Sequence, residues 1–137
     1  SKKKRGQVSV SYEYVIDSYA WVEYFKGTKK GEIAKKFIES NKSATASITL
    51  AELSEKYKRE NKDFGQDLQF MLSQTKIVNL STEIAIKAGE VNCENKKKIK
   101  NWGMADAIIL ATANSLNSKV VTGDEHFRNL NSVMLDE

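Results

Sequence analysis

Short runs of β-prone residues alternate with longer segments of helical periodicity along this chain, and that alternation limits the fold more than any other feature. Strands joined through helices lie parallel in one sheet, with right-handed crossovers. The first run, from about Tyr12 to Ile16, ends on Asp17 and Ser18. Ala44 to Ile48, Ile77 to Leu80, Lys119 to Thr122 and Val133 to Leu135 follow as further short strands. Ser18 to Lys26 suits a first helix, and Ile33, Phe37 and Ile38 mark a second. Leu50, Leu53 and Tyr57 mark a third, running to about Glu60. Asp63 opens a fourth with an apolar face of Phe64, Leu68, Met71 and Leu72. Ser81 or Thr82 caps a fifth, which is expected to bury Ile84, Ala85, Ala88 and Val91. Met104 to Leu116 forms the sixth, and a helical turn over Asp124 to Asn129 precedes the last strand. The expected architecture is α/β: a three-layer α/β/α sandwich around a central, largely parallel sheet of four or five strands.

At 137 residues the chain fits one domain with a core of its own. Its single cysteine, Cys93, rules out an internal disulfide and a Cys-based zinc site, and fits a reducing compartment. The formal net charge of +4 equals the contribution of Lys2, Lys3, Lys4 and Arg5, so the rest is electrically balanced. Residues 1–10 are expected to form a basic tail and residues 11–137 the folded domain. Gly6 to Tyr14 interleaves polar residues and lacks the apolar core of an export signal. No apolar run approaches the roughly 18 to 20 residues of a membrane span, and the longest, Met104 to Ala113, contains Asp106. A cytoplasmic protein with no membrane association is expected.

In a parallel sheet, ligands bind beyond the carboxyl ends of the strands. Asp17 follows the first strand directly, Glu52 falls in the first turn after the second, and Asp124 follows Val120-Val121-Thr122-Gly123. Asp106 stands at the start of a helix that is apolar almost all round, and is therefore buried. Each acid has a structural explanation. Asp17 and Asp124 suit N-caps, and Thr49-Leu50-Ala51-Glu52 fits a capping box. Asp106 is harder to account for in that way, because a buried carboxylate needs a partner and no sequence neighbour is cationic. A bound cation would supply one.

Taken together, Tyr14-Val15-Ile16-Asp17-Ser18, Ile48-Thr49-Leu50-Ala51-Glu52-Leu53, Ala105-Asp106-Ala107-Ile108-Ile109-Leu110-Ala111-Thr112-Ala113 and Val120-Val121-Thr122-Gly123-Asp124-Glu125-His126-Phe127 resemble the PIN-domain nucleases in order and spacing. The resemblance covers about Tyr12 to Glu137 and is nearest to the VapC-type toxins of toxin–antitoxin modules. It implies a metal-dependent ribonuclease whose four carboxylates, Asp17, Glu52, Asp106 and Asp124, line a cleft and hold Mg2+ or Mn2+. Asp17 and Asp106 would be the principal ligands, Glu52 a ligand or water-positioning base, and Asp124 a ligand acting partly through water. Thr122 would orient the carboxylates through its hydroxyl. Oxygen-only donors suit such hard ions, and a coordinated water of lowered pKa would attack the phosphodiester to leave a 5′-phosphate.

His126 departs from the pattern, since many relatives carry an aspartate there. It is read as a residue of a surface turn and left out of the site, and its presence leaves one metal or two open. A phosphate-transfer domain of receiver or haloacid-dehalogenase type is disfavoured, because Tyr19 stands where the latter needs a second aspartate. Two other readings remain: a PIN-like module that binds RNA or protein without cutting, and a free-standing RNA-processing nuclease. An RNA substrate, a cognate antitoxin and a homodimer are the partners that the resemblance implies. Lys58, Arg59, Arg128 and the Lys96 to Lys100 cluster are candidate phosphate contacts, although a charged helix face is more often simply solvated. Tyr19 and Trp21 fit core positions better than base-stacking ones.

Overall fold

The computed structural model describes residues 11–136, so the expected tail over residues 1–10 lies outside the described residues. The elements run β1 (Tyr14–Ile16), α1 (Ser18–Lys26), α2 (Lys29–Ile38), β2 (Ser43–Ala46), α3 (Ser47–Arg59) and α4 (Gly65–Gln74). They continue with β3 (Lys76–Val78), α5 (Thr82–Asn95), α6 (Met104–Ser115), β4 (Lys119–Thr122), a 3-10 turn over Glu125–Phe127, and β5 (Ser132–Met134). The strands form one five-stranded sheet in the order β3-β2-β1-β4-β5, and every pairing is parallel.

Alternation along the strands divides the core into two layers. Val15, Ala44, Ala46 and Val120 pack with Ile84 and Ala88 of α5 and Ile109 and Ala113 of α6 on one face. Ile16 and Val121 pack with Trp21, Ile38, Leu53 and Met71 from α1 to α4 on the other. A three-layer α/β/α sandwich results. Thr45 faces the second layer, where its hydroxyl accepts from the Trp21 Nε1 at 3.2 Å and lies 2.7 Å from the Thr75 hydroxyl.

Several element ends differ from the sequence reading. Helix α3 begins at Ser47 and so takes the last two residues of the expected second strand, with Ala46 at its N-cap and no side-chain cap. The capping box of Thr49 and Glu52 therefore does not form, and Glu52 lies in the second turn rather than the first. Strand β3 ends at Val78, leaving Leu80 exposed, and β5 starts one residue early. Ala85 and Leu72 are exposed, because each helix buries a narrower stripe than its apolar content suggests. Asp63 does open α4: its Oδ1 accepts from the Gly65 amide at 2.9 Å.

The α1–α2 corner depends on a close backbone approach. A Cβ on Gly31 would lie 2.0 Å from the Glu23 carbonyl oxygen, against backbone that cannot swing aside. Gly31→Ala is expected to cost about 3 kcal/mol through overpacking, measured as a lower urea midpoint with an unchanged m-value.

The chain winds outward from β1 through β2 to β3, then returns to lay β4 against the other side of β1. The winding direction reverses between β1 and β4. Adjacent loops splay apart there and open a crevice beyond the carboxyl ends of these two strands.

Candidate metal centre at the sheet switch point

The register of the two central strands builds the centre of the crevice. Ile16 pairs with Val121, so Asp17, just beyond the end of β1, and Thr122, the last residue of β4, lie side by side. The Thr122 hydroxyl donates to Asp17 Oδ2 at 2.7 Å and accepts from the Asp124 amide at 2.9 Å. One buried hydroxyl thus ties two of the expected site residues together. Asp17 Oδ1 also accepts from the Ser18 amide at 2.8 Å, where Asp17 forms the N-cap of α1. The capping role and the site role coincide in this residue.

Asp124 repeats the arrangement. Its Oδ1 accepts from the His126 amide at 2.9 Å and so starts the 3-10 turn. Just before it, Gly123 lies against the ring of Tyr19, and a Cβ there would be 2.3 Å from the ring. A side chain at this position would have to displace the Tyr19 ring from the cleft wall.

Asp106 lies in the first turn of α6, where the helix dipole favours a carboxylate. It is not a charge without partners: Oδ2 accepts from the Gly103 amide at 3.1 Å and lies 3.0 Å from His126 Nδ1. Its side chain is 19% exposed, so it borders the crevice. Glu52 reaches in from α3. Its Oε1 is buried and has no hydrogen-bond partner.

All four acids line one cleft of about 460 Å³. Lys56 and Arg59 line it too, from the α3 side. Both have acidic neighbours on or beside their own helix, Lys56 with Glu60 at 2.7 Å and Arg59 with Glu55 at 4.0 Å. Burial pushes the Asp17 carboxyl up to about 7; the Thr122 and Ser18 hydrogen bonds oppose this, while the charges of Glu52 and Asp124 add to it. Burial also raises the Glu52 carboxyl, reinforced by the charges of Asp106 and Asp124 and opposed by the nearby Ser18 hydroxyl. Such crowding of partly desolvated carboxylates is unfavourable unless a cation joins them.

These residues fit a divalent cation. The orphaned Glu52 Oε1 supplies an oxygen without another use, and carboxylate oxygens are the donors that Mg2+ and Mn2+ prefer. His126 does sit on a partly exposed surface turn, as expected, and that turn also brings it beside two of the acids. One donor atom each from Asp106, Asp124 and His126 lie within 4.8 Å of one another. The signal for this lay in its position two residues beyond Asp124 on a tight turn, which sets its Nδ1 3.7 Å from Asp124 Oδ1. Tyr19 and Trp21 separate: Trp21 is wholly buried, while Tyr19 lines the cleft. Among the basic candidates, Arg59 reaches the cleft, joined by Lys56, which sequence reasoning missed. Arg128 instead holds the Glu125 and Asp136 carboxylates.

The structure is thus a parallel α/β sandwich with four acids converging on an open cleft at its switch point, a donor set of the kind that suits a hard cation. Residues 14–132 match the PIN domain family, and the chain belongs to it. The fold is similar to a toxin–antitoxin complex from Klebsiella pneumoniae, at 24% identity and a TM-score of 0.73, over 91% of this chain and 99% of that one. It is also similar to VapBC2 from Rickettsia felis bound to a promoter DNA fragment, at 25% identity and a TM-score of 0.69, covering 88% and 96% of the two chains. DNA-bound VapBC from Salmonella typhimurium is similar at 19% identity and a TM-score of 0.68, covering 90% and 96%. No curated protein matches the sequence.

Proposed function

We propose that this protein is a metal-dependent endoribonuclease that hydrolyses RNA phosphodiester bonds and serves as the toxin of a toxin–antitoxin pair. The observation that carries the reading is the convergence of Asp17, Glu52, Asp106 and Asp124 on one cleft, with Glu52 Oε1 buried and unpartnered. A divalent ion, Mg2+ or Mn2+, would lower the pKa of a coordinated water and offset charge developing on the phosphate.

The chain's own residues hold and orient. Asp17 and Asp106 would be the main ligands, fixed by Thr122 and Ser18 in one case and by Gly103 in the other. Asp124 would complete the set from the β4 end. Glu52, whose carboxyl is held above its ordinary range, is placed to accept a proton from the attacking water. Thr122 is a positioning residue. Lys56 and Arg59 at the cleft wall are suited to backbone phosphates of RNA, a contact that positions the strand without reading its sequence. By analogy with the toxin–antitoxin complexes, a cognate antitoxin would cover this cleft, and the toxin would dimerise and act in the cytoplasm. No helix among the described residues is long and apolar enough to cross a membrane.

The test is cleavage of a mixed RNA substrate by the purified chain, freed of any bound partner, with Mg2+ or Mn2+ and with a chelator. Cutting should require the ion. Asp106→Asn should lower the rate by on the order of a thousandfold, while far-ultraviolet dichroism stays native. Normal cutting by that variant overturns the site assignment. Tight RNA binding by the wild type without cutting, under every metal tried, favours a non-cleaving binding module. Cleavage with no antitoxin co-purifying from native cells favours a free-standing processing nuclease.

A further inference from the structure

We infer that His126 is a nitrogen ligand to the cation of this site, together with Asp106 and Asp124, and that it turns the site's preference from Mg2+ toward Mn2+ and later first-row ions. This deepens the metal-dependent reading of the cleft and rests on it.

The argument begins with what the imidazole faces. His126 Nδ1 lies 3.0 Å from Asp106 Oδ2 and 3.7 Å from Asp124 Oδ1. Those carboxylates come from different elements, one from the start of α6 and the other from the end of β4. Nδ1 makes one hydrogen-bond contact, with Asp106, and has the second carboxylate close by. One donor atom from each of Asp106, Asp124 and His126 lies within 4.8 Å of the others, so small side-chain rotations bring all three to the roughly 3 to 4 Å spacing of ligands around one ion.

The ring is held in place from behind. Its centroid is 6.4 Å from that of Trp102, which in turn lies 5.4 Å from Phe127. The Asp124 side chain caps the turn through the His126 amide, so carboxylate and imidazole are set by one hydrogen bond. Such a turn presents a ligand pair two residues apart with little freedom left to lose.

Donor chemistry gives the selectivity. Mg2+ prefers an all-oxygen shell, and imidazole suits the later transition ions, with Mn2+ accepting both kinds of donor. A nitrogen where an aspartate would give a third oxygen also removes one negative charge, which weakens Mg2+ most. In the metal-free protein the contact with Asp106 Oδ2 is a hydrogen bond in which the carboxylate oxygen accepts and Nδ1 carries the proton. With an ion between them Nδ1 must be bare and the proton resides on Nε2.

That tautomer change can be read directly, because His126 is the sole histidine in the sequence. Nitrogen NMR of the 15N-histidine-labelled chain, titrated with diamagnetic Zn2+, should shift Nδ1 in proportion to bound ion, and Asp124→Asn should remove the shift. Calorimetric titrations with Mn2+ and Mg2+ should show preference for Mn2+ in the wild type. His126→Asp should reduce the Mn2+-to-Mg2+ affinity ratio by at least about tenfold. If ions bind and Asp106→Asn abolishes binding, yet the Nδ1 resonance and the affinity ratio do not change, His126 is no ligand and the inference fails alone. If no divalent ion binds the wild type, the metal-dependent reading fails with it. The wild-type NMR titration decides the question even if His126→Asp does not fold.

Discussion

Asp17→Asn is expected to make the metal-free protein more stable at neutral and alkaline pH, while abolishing RNA cleavage. The Asp17 side chain is 5% exposed and its carboxyl rises from an ordinary 3.8 to about 7 in the fold. The folded state therefore binds more protons than the unfolded one between those values, so stability falls as pH rises through that window. At pH 8 the penalty is complete, and the shift corresponds to an upper limit of about 4 kcal/mol. Asparagine carries no charge to bury and can still accept one of the two hydrogen bonds. After subtracting about 1 kcal/mol for the mismatched bond, a net gain of about 1 to 3 kcal/mol remains.

Thermal or urea unfolding of the chelated protein at pH 5 and pH 8 checks this result. The wild type should lose stability between the two, and the variant should change much less. Added Mn2+ should then restore the wild type, by an amount that grows with the logarithm of its concentration, and leave the variant nearly unmoved. A variant less stable than the wild type at pH 8 without metal would show that Asp17 is not a destabilising charge. The cost of the carboxylate without its ion and its use with one have the same physical cause, removal from water beside other acids.

Thr122→Val is expected to be the most damaging change of a residue that is not itself an acid. Valine has nearly the same shape, so packing at this wholly buried position is retained. The change removes both the donor to Asp17 Oδ2 and the acceptor of the Asp124 amide. Two buried partners lose their bonds, at a combined cost of about 2 to 4 kcal/mol. Cleavage should fall about ten- to a hundredfold, because the two carboxylates lose their common brace. Thr122→Ser, which keeps the hydroxyl, should recover most of the activity. Weaker affinity for Mn2+ in the valine variant, measured by calorimetry and restored by serine, separates positioning from simple loss of stability.

Much of the fold was legible because its periodicities are local. All six helices and all five strands occur where β-prone and helical runs alternate. The errors cluster where local signals conflict. Ser47-Ile48-Thr49 is β-branched enough to extend a strand, yet it is the first turn of α3, since β2 has already crossed the sheet by Ala46. That shift removed the capping box of Glu52 and left its oxygen for other use. Ala85 and Leu72 fit an apolar stripe in sequence, but the crossing of neighbouring helices leaves them in solvent.

The site divides in the same manner. Each of the four acids could be named from its place after a strand or at a helix start, because that place follows from the chain's own pattern. The contact of His126 with Asp106 could not, since it depends on where a carboxylate 20 residues earlier arrives. Lys56 was passed over because the rotation of α3 about its axis decides which helix face reaches the cleft.

By itself, the sequence determined a parallel α/β sandwich, the four acids and the family to which the chain belongs, all of which follow from patterns a few residues long. Only the tertiary structure decided that β1 and β4 lie side by side, that one threonine braces two aspartates, and that an imidazole meets the Asp106 carboxylate. Those features depend on strand order and register, which bring together residues as far apart as Asp17 and Thr122, and no local propensity specifies such a distance.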